Sequence, residues 1–520
     1  MTVLDYTPPA GDIRTLVHRH AQQWPERAFL LFPETGRSLT YGALWDKTQH
    51  YGRYFAALGL TKGDTVSFML GNGQAAAELF LATLCNGCIT SPLNPAAGQE
   101  QIEYVLEHSD TRVVFVSAAY REQVACAIEK MNRAVLLIDA DVDQGPDWQM
   151  QPATTAPDPQ LDGSDSGLLM YTSGTTGRPK GVMLSHRNLL AGGMNTARAH
   201  ELSGQDRALC VLPLCHINAQ CVTVMAPLVT AGSVVMPHAF SVSMFWSWVI
   251  DQRCSWFSVV PTIISYLMHH EHPAGDAELR QALAGVRFGR SASAALPPAL
   301  HAGFEEKFGV AIVETMGLTE TAAQVLANPM PPKRNKYGSS GLAFGTEVRI
   351  VDRQGNTLGQ DEEGELMIRG DCVMAGYYKN PQATAEALEA DGWLHTGDLA
   401  RQDADGFVFI TGRLKELIIK GGENIAPREI DDALYAHPAV IEAGAIGIDD
   451  EHYGQEVVAC VKVDPQSGVT EQELIAFCLG KLGRVKTPKN IYFLKELPKG
   501  PSGKVQRLKL VDQLKSGQVI

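Results

Sequence analysis

Apolar residues recur along this chain in two rhythms, and the rhythms take turns. Short runs, some with a spacing of two, mark strands: Ala28–Phe32, residues 64–70 with Val66, Phe68 and Leu70 alternating, residues 112–117 and residues 134–138. A spacing of three to four marks helices between them. Residues 41–58 put Leu44, Tyr51, Tyr54 and Phe55 near one face, and residues 74–84 and 120–131 follow suit. Strands alternating with helices of this length predict βαβ units and largely parallel sheets. The pattern resumes further on, with a helix over 188–199 and a strand over 258–260. Pro261 stops that strand and opens another helix, where proline suits the first turn. Residues 141–166 are rich in Pro, Asp, Gln and Gly and read as surface connection.

The last hundred or so residues have a different texture. A helix over 429–435, strands over 440–448 and 456–463, and a capping box from Thr470 to Glu473 opening a further helix predict a small α+β domain. The boundary is expected at residues 412–415, dividing the chain into 1–412 and 413–520.

Composition changes this picture little. The 520 residues are 45% hydrophobic and 20% charged, as in ordinary globular enzymes, and are too many for one core. A formal net charge of -14 argues against nucleic acid or an anionic membrane as partner. The most apolar long stretch, residues 208–236, is interrupted by His216, Asn218 and Gln220, so it reads as buried strand and helix, with no membrane span. The first twenty residues carry Asp5 and Asp12 and no apolar core behind a basic start, so no secretory signal is expected. Of ten cysteines only Cys85 and Cys88 form a CxxC, without a second ligand pair nearby, which reads as structural thiols in a cytoplasmic protein.

The chemistry concentrates in a few short stretches. Residues 171–181 pack three glycines, four Ser/Thr hydroxyls, Arg178 and Lys180 behind the apolar run Leu168-Leu169-Met170. Glycines bring backbone N–H groups close to an anion, and hydroxyls and Lys180 add donors and charge, so the loop suits phosphates. It is not a Walker A loop, because only two residues separate Gly174 from Gly177. His216 follows Pro213-Leu214-Cys215; a histidine in such a run is ordinarily a core residue. The small side chains from Ser291 to Ala295 allow a flat ring to lie against the backbone. Arg290, just before them, is expected to face away and be paired structurally; the alternative is that it meets a second carboxylate or polar tail in a substrate pocket.

These stretches, with Glu314-Thr315-Met316-Gly317-Leu318-Thr319-Glu320, Trp393-Leu394-His395-Thr396-Gly397-Asp398, Gly412-Arg413-Leu414-Lys415, Lys420-Gly421-Gly422 and Pro498-Lys499-Gly500-Pro501-Ser502-Gly503-Lys504, closely resemble the motifs of the adenylate-forming superfamily. That superfamily includes acyl-CoA synthetases, peptide-synthetase adenylation domains and luciferases. The resemblance runs from about Thr40 to Arg507, in family order. It implies a large N-terminal α/β domain of parallel sheets sandwiched by helices, a β-barrel-like part, and a small mobile C-terminal α+β lid.

The resemblance also implies roles. Thr172, Ser173, Gly174, Thr175, Thr176, Gly177 and Lys180 would hold the ATP phosphates. Ser293, Ala294, Glu314, Thr315 and Met316 would surround adenine, with Met316 where relatives commonly have Tyr. Thr319 would touch the α-phosphate and Glu320 would bind Mg²⁺. Asp398 and Arg413 would hold the ribose. Lys504 would bridge the acyl carboxylate and α-phosphate, Lys415 would be the hinge, and Gly421 and Gly422 would face coenzyme A. His216, with Cys215 replacing the usual aromatic before it, would gate an acyl pocket formed by Ala219, Gln220, Arg290, Gly317 and Ala322.

The implied reaction joins a carboxylic acid to coenzyme A through an acyl-adenylate. Small residues at Ala219, Ala322 and Ala323 leave room for a medium or long aliphatic chain, which is the expected acid. Polar Arg290 and Gln324 instead permit a short acid with a second polar or carboxylate group. A carrier-protein phosphopantetheine is an alternative thiol, and a non-catalytic nucleotide-binding protein is a remote alternative.

Overall fold

The computed structural model describes residues 11–172, 178–273, 275–333, 335–500 and 505–515. Two large sheets dominate. In the first, from edge to edge, run Gly376–Tyr377, Lys180–Ser185, Ser166–Thr172, Ile89–Pro92, Thr65–Met69, Thr111–Val116, Leu136–Asp141 and Gly145–Pro146. Its central five strands are parallel. The second is parallel from Ala28–Phe32 through Ser233–Val235, Arg207–Cys210, Trp256–Val259 and Phe288–Ser291 to Ile312–Leu318, then closes antiparallel with Ala323–Ala327. The βαβ expectation holds. The expected alternation within Thr65–Met69 does not: all five residues are buried, because the sheet is covered on both faces. Ser67 is accommodated there by a 2.7 Å hydrogen bond to Thr111.

The helix Gln74–Cys85 is buried from Ala75 to Cys85, as a helix that is apolar all round should be. The helix His186–Ala199 starts two residues before the expected position because Ser185 caps it. Its hydroxyl accepts from Asn188 N, and Asn188 Oδ1 accepts in return from Ser185 N. This helix packs on Ala323–Ala327 of one sheet and Lys180–Ser185 of the other, tying the two together. Beside it lies an unusual segment. Asn218–Met225 is a π-helix, whose wider turns end with Ala226 N bonded to Cys221 O.

An antiparallel four-stranded sheet (Glu347–Val351, Gly364–Arg369, Leu394–Gln402, Val408–Arg413) supplies the barrel-like part. After a turn comes the C-terminal unit: a sheet of Glu423–Ile425, Ile418–Lys420, Gly454–Val463, Val440–Asp450 and Asn490–Phe493, with the helices Pro427–Tyr435 and Glu471–Lys486 against it. The capping box at Thr470 and Glu473 forms as expected. Cys85 and Cys88 are buried, and burial pushes both thiols up to about 12, which suits structural thiols. No helix among the described residues is long and apolar enough to cross a membrane.

Candidate active site

An open cleft lies where three of these units meet. One wall is the turn Ser293-Ala294-Ala295 with the strand that carries Glu314, Thr315, Met316, Gly317 and Leu318. The second is Asp398, Gly412 and Arg413 from the four-stranded sheet. The third is Arg428, Asp431, Val505 and Arg507 from the C-terminal unit. The sequence-predicted adenine and ribose residues are therefore gathered around one space.

Local chemistry explains the shape. Ser293 sits at φ +71°, a left-handed conformation that a serine adopts only under surrounding constraint. Gly317 is obligatory, since a Cβ there would lie 1.6 Å from the carbonyl oxygen of Ala323. Glu314 is buried; its Oε1 accepts from Leu296 N at 3.1 Å while its Oε2 lacks a partner among the described residues. Burial raises its carboxyl to about 7. Asp398 and Arg413 face each other across paired strands, with Nε 2.7 Å from Oδ1. That geometry offers a carboxylate held in place beside a cation, which suits a vicinal diol.

Lys180 and Glu320 also converge, through a residue that the sequence did not single out. The Tyr377 hydroxyl donates to Glu320 Oε1 at 3.0 Å, and Lys180 Nζ stands 4.7 Å above the Tyr377 ring. Tyr377 is 57 residues downstream of Glu320, and only the pairing of Gly376–Tyr377 with Lys180–Ser185 brings it there. Among the described residues no group of three His, Cys, Asp or Glu side chains could hold a metal unaided. Mg²⁺ does not require one, because it keeps waters and substrate phosphates and takes one or two carboxylates. Glu320 fits that need.

The C-terminal unit is docked over the cleft. Tyr266 OH donates to Glu442 Oε1 at 2.8 Å, and Lys499 Nζ reaches both, at 2.6 Å from the carboxylate and 2.9 Å from the hydroxyl. Ser265 Oγ donates to Ile441 O at 2.9 Å, and Arg428 hydrogen-bonds the carbonyls of Ile410 and Gly338. Val505, which follows Lys504 in the chain, lines the cleft. Lys504 itself lies outside the described residues, as do Ser173, Gly174, Thr175, Thr176 and Gly177. Lys415 is exposed in the turn between Val408–Arg413 and Ile418–Lys420, and Gly421 and Gly422 form an exposed turn away from the cleft lining.

The expected acyl pocket is where the structure departs most from the sequence reading. Ala219, Ala322 and Ala323 do not open a channel. All three are buried, and Ala322 is pressed against the helix His186–Ala199, so closely that a Cβ on Gly192 would lie 2.2 Å from Ala322 O. The small size of Ala322 serves helix packing. Gln220 is buried too, donating to Leu214 O at 2.8 Å. His216 is not a satisfied core residue: its Nε2 has no partner among the described residues, and burial lowers its pKa to about 4, so the ring is neutral.

Arg290 is the second departure. It is buried, at 2% exposure, but not paired with a carboxylate. Nε donates to Gln324 Oε1 at 2.9 Å, and Nη1 donates to Ser258 Oγ at 3.1 Å and Asn218 Oδ1 at 3.3 Å. Each of these partners is neutral. Burial lowers the guanidinium to about 9, still above physiological pH, so the charge persists. Asn218 links this cluster to the cleft, its amide donating to Ser293 Oγ at 3.4 Å. Asn218, Ser258 and His200, which completes the cluster, carried no signal in the sequence, since their elements are far apart in the chain.

Comparisons with known proteins agree with this geometry. The AMP-binding enzyme family matches residues 17–378, and its C-terminal domain matches residues 429–504. A sulfoacetate–CoA ligase from Cupriavidus necator is 49% identical over 96% of this chain and 97% of its own length. An oxalate–CoA ligase from Arabidopsis thaliana is 33% identical over 95% and 96%. Among solved structures, ATP-bound MatB from Rhodopseudomonas palustris superposes with a TM-score of 0.86 at 27% identity, covering 97% of this chain and 99% of that one. A cleft walled by Glu314–Leu318, Asp398 and Arg413 and bordered by a small C-terminal unit, and family matches across both parts of the sequence, lead to one conclusion: the chain belongs to the AMP-binding enzyme family, within the adenylate-forming superfamily.

Proposed function

We propose that this AMP-forming acid–CoA ligase activates a short carboxylic acid bearing a second anionic group, with sulfoacetate the first candidate. The carrying observation is Arg290: a buried guanidinium, held only by neutral groups and linked to the cleft through Asn218 and Ser293. Uncompensated buried charge is costly, so a buried arginine is ordinarily paired. A sulfonate or second carboxylate on the substrate would be that pair. The relatives named for sulfoacetate and oxalate both take acids that are small and carry a second anionic group. This replaces the medium or long aliphatic chain, for which the packed Ala219 and Ala322 leave no support.

The enzyme uses ATP, Mg²⁺ and coenzyme A. A carboxylate oxygen of the acid attacks the α-phosphorus of ATP, a new P–O bond forms, the α–β anhydride bond breaks, and pyrophosphate leaves. The thiol of coenzyme A then attacks the acyl carbonyl, the bond to AMP breaks, and the thiol proton passes to solvent. Mg²⁺, when bound, offsets phosphate charge. In our reading Glu320, oriented by Tyr377, holds the metal. Asp398 and Arg413 fix the ribose, and Ser293, Ala294, Thr315 and Met316 enclose adenine. Thr172, Lys180 and the loop 173–177 hold the phosphates. Thr319 contacts the α-phosphate, and Lys504 offsets charge as the carboxylate attacks. Neutral His216 borders the acyl group. Swinging about Lys415 would then bring Gly421 and Gly422 to the thiol.

Pyrophosphate release measured across sulfoacetate, oxalate, malonate, acetate, propionate, octanoate and palmitate, with and without coenzyme A, tests the reading. The expected result is fastest turnover with a doubly charged short acid, and its CoA thioester as product. Preference for octanoate or palmitate would overturn it.

A further inference from the structure

Arg290 alone does not make an anion site; what surrounds it decides whether its charge remains available. Gln324 Oε1 accepts from Arg290 Nε at 2.9 Å and bonds His200 Nε2 at 3.0 Å. Both contacts use the same oxygen, and Arg290 Nε can only donate, so the oxygen faces the guanidinium and His200 carries its proton on Nε2. The Gln324 amide nitrogen is left buried and without a partner among the described residues. His200 is fully buried and stacks on Phe288, ring centroids 4.9 Å apart. Burial lowers its pKa to about 3, so it adds no charge of its own. Asn218 Oδ1 accepts from both Arg290 and Ser258. The cage therefore supplies neutral acceptors to three of the guanidinium N–H groups and neutralises none of its charge.

We infer that Gln324 is a specificity-determining residue: held by His200, it fixes the Arg290 guanidinium with a neutral acceptor and so reserves the positive charge for a second anionic group on the acid. This rests on the reading of the acid as doubly charged. Glutamine is the side chain this role requires. An aliphatic residue would leave Arg290 Nε and His200 Nε2 without an acceptor. A glutamate of the same shape would accept both bonds equally well but would cancel the charge within hydrogen-bonding distance and repel the incoming anion.

Glu at this position separates the two ways in which Gln324 could matter. If Gln324 only supports the fold, Gln324→Glu keeps both hydrogen bonds and behaves like wild type, whereas Gln324→Leu loses both and is the worse variant. If Gln324 keeps the charge available, the order reverses. The readout is the ratio of kcat/KM for sulfoacetate to kcat/KM for propionate, measured by pyrophosphate release on wild type and both variants, with melting temperatures alongside. The expected result is a ratio lowered by on the order of 10²-fold in Gln324→Glu, carried mainly by KM for sulfoacetate, and by less in Gln324→Leu. A Gln324→Glu enzyme that keeps the wild-type ratio, or exceeds Gln324→Leu, overturns the inference and leaves the doubly charged substrate standing. A wild-type ratio near one overturns the substrate reading, and this inference with it.

Discussion

Replacing Arg290 by methionine should separate activity from stability. In the folded protein burial lowers this guanidinium from the usual 12.5 to about 9. At about 1.36 kcal/mol per pH unit, burying the charge costs roughly 5 kcal/mol in the absence of substrate. Against that stand the three hydrogen bonds that the charged group donates to Gln324, Ser258 and Asn218, at roughly 1.5 to 3 kcal/mol each and so about 4.5 to 9 kcal/mol together. Methionine fills similar volume without charge, and the acceptors keep other partners: Gln324 keeps His200, and Asn218 keeps Ser258. Thermal stability should therefore stay level or fall, by about 4 kcal/mol at most. Activity should fall wherever stability lands in that range. Leaving the second anion of the substrate buried without a partner costs about 3 to 5 kcal/mol. At about 1.36 kcal/mol per decade, that is a loss of roughly 10²- to 10⁴-fold in kcat/KM for the doubly charged acid. The assays are pyrophosphate release over a range of acid concentrations and calorimetric melting without ligands. If kcat/KM stays within threefold of wild type, or the melting temperature collapses, Arg290 is a structural residue and the reasoning fails.

Three further outcomes test the proposed roles. Lys504→Ala should lose adenylation by orders of magnitude while still turning pre-formed acyl-AMP and coenzyme A into thioester; equal loss in both half-reactions, read by pyrophosphate and AMP release, would remove the proposed role. Tyr266→Phe removes the hydroxyl between Glu442 and Lys499, a bond to charged groups worth about 1.5 to 3 kcal/mol. It should slow adenylation and quicken thioester formation in single-turnover assays; no change in the balance would show that the contact does not hold the docked orientation. Glu314 has a folded pKa raised from 4.5 to about 7, so its contribution is fully present below about 4.5 and is lost as pH rises through 7. Glu314→Gln, without nucleotide, should melt like wild type at pH 4.5 but gain up to about 3 kcal/mol at pH 8.5, and a pH-independent difference would contradict it.

Much of the scaffold was legible because its causes are local. Thr470 with Glu473 fixes a helix start within four residues of chain, and the βαβ alternation follows from periodicity alone, whereas the equally local cap of Ser185 with Asn188 went unread and its helix starts two residues early. The residues proposed to hold the nucleotide were legible as short motifs, and seven of them (Ser293, Ala294, Glu314, Thr315, Met316, Asp398 and Arg413) line one cleft. What was not legible depends on neighbours across strands. Arg290 meets Ser258, Gln324 and Asn218 at separations of 32, 34 and 72 residues, so sequence could not say that all its partners are neutral. Ala322 looked like open space because a small side chain is equally compatible with a void and with a close approach; Gly192 on a distant helix decided it. Tyr377 had no local signal, since its strand Gly376–Tyr377 is two residues long.

The π-helix Asn218–Met225 sets Asn218, which bridges Arg290 and Ser293, on an adjustable bearing. Its wide turn ends where Ala226 N reaches back five residues to Cys221. Such a turn holds one residue more than an α turn does. Removing one residue would close it to ordinary α geometry while the segments on either side keep their facing, so Asn218 could stay on Ser258 and Arg290. The strands carrying Arg290, Thr315 and Glu314 would stay where they are. A single insertion or deletion here can thus change which side chain fills one place along the π-helix without turning the rest of that wall.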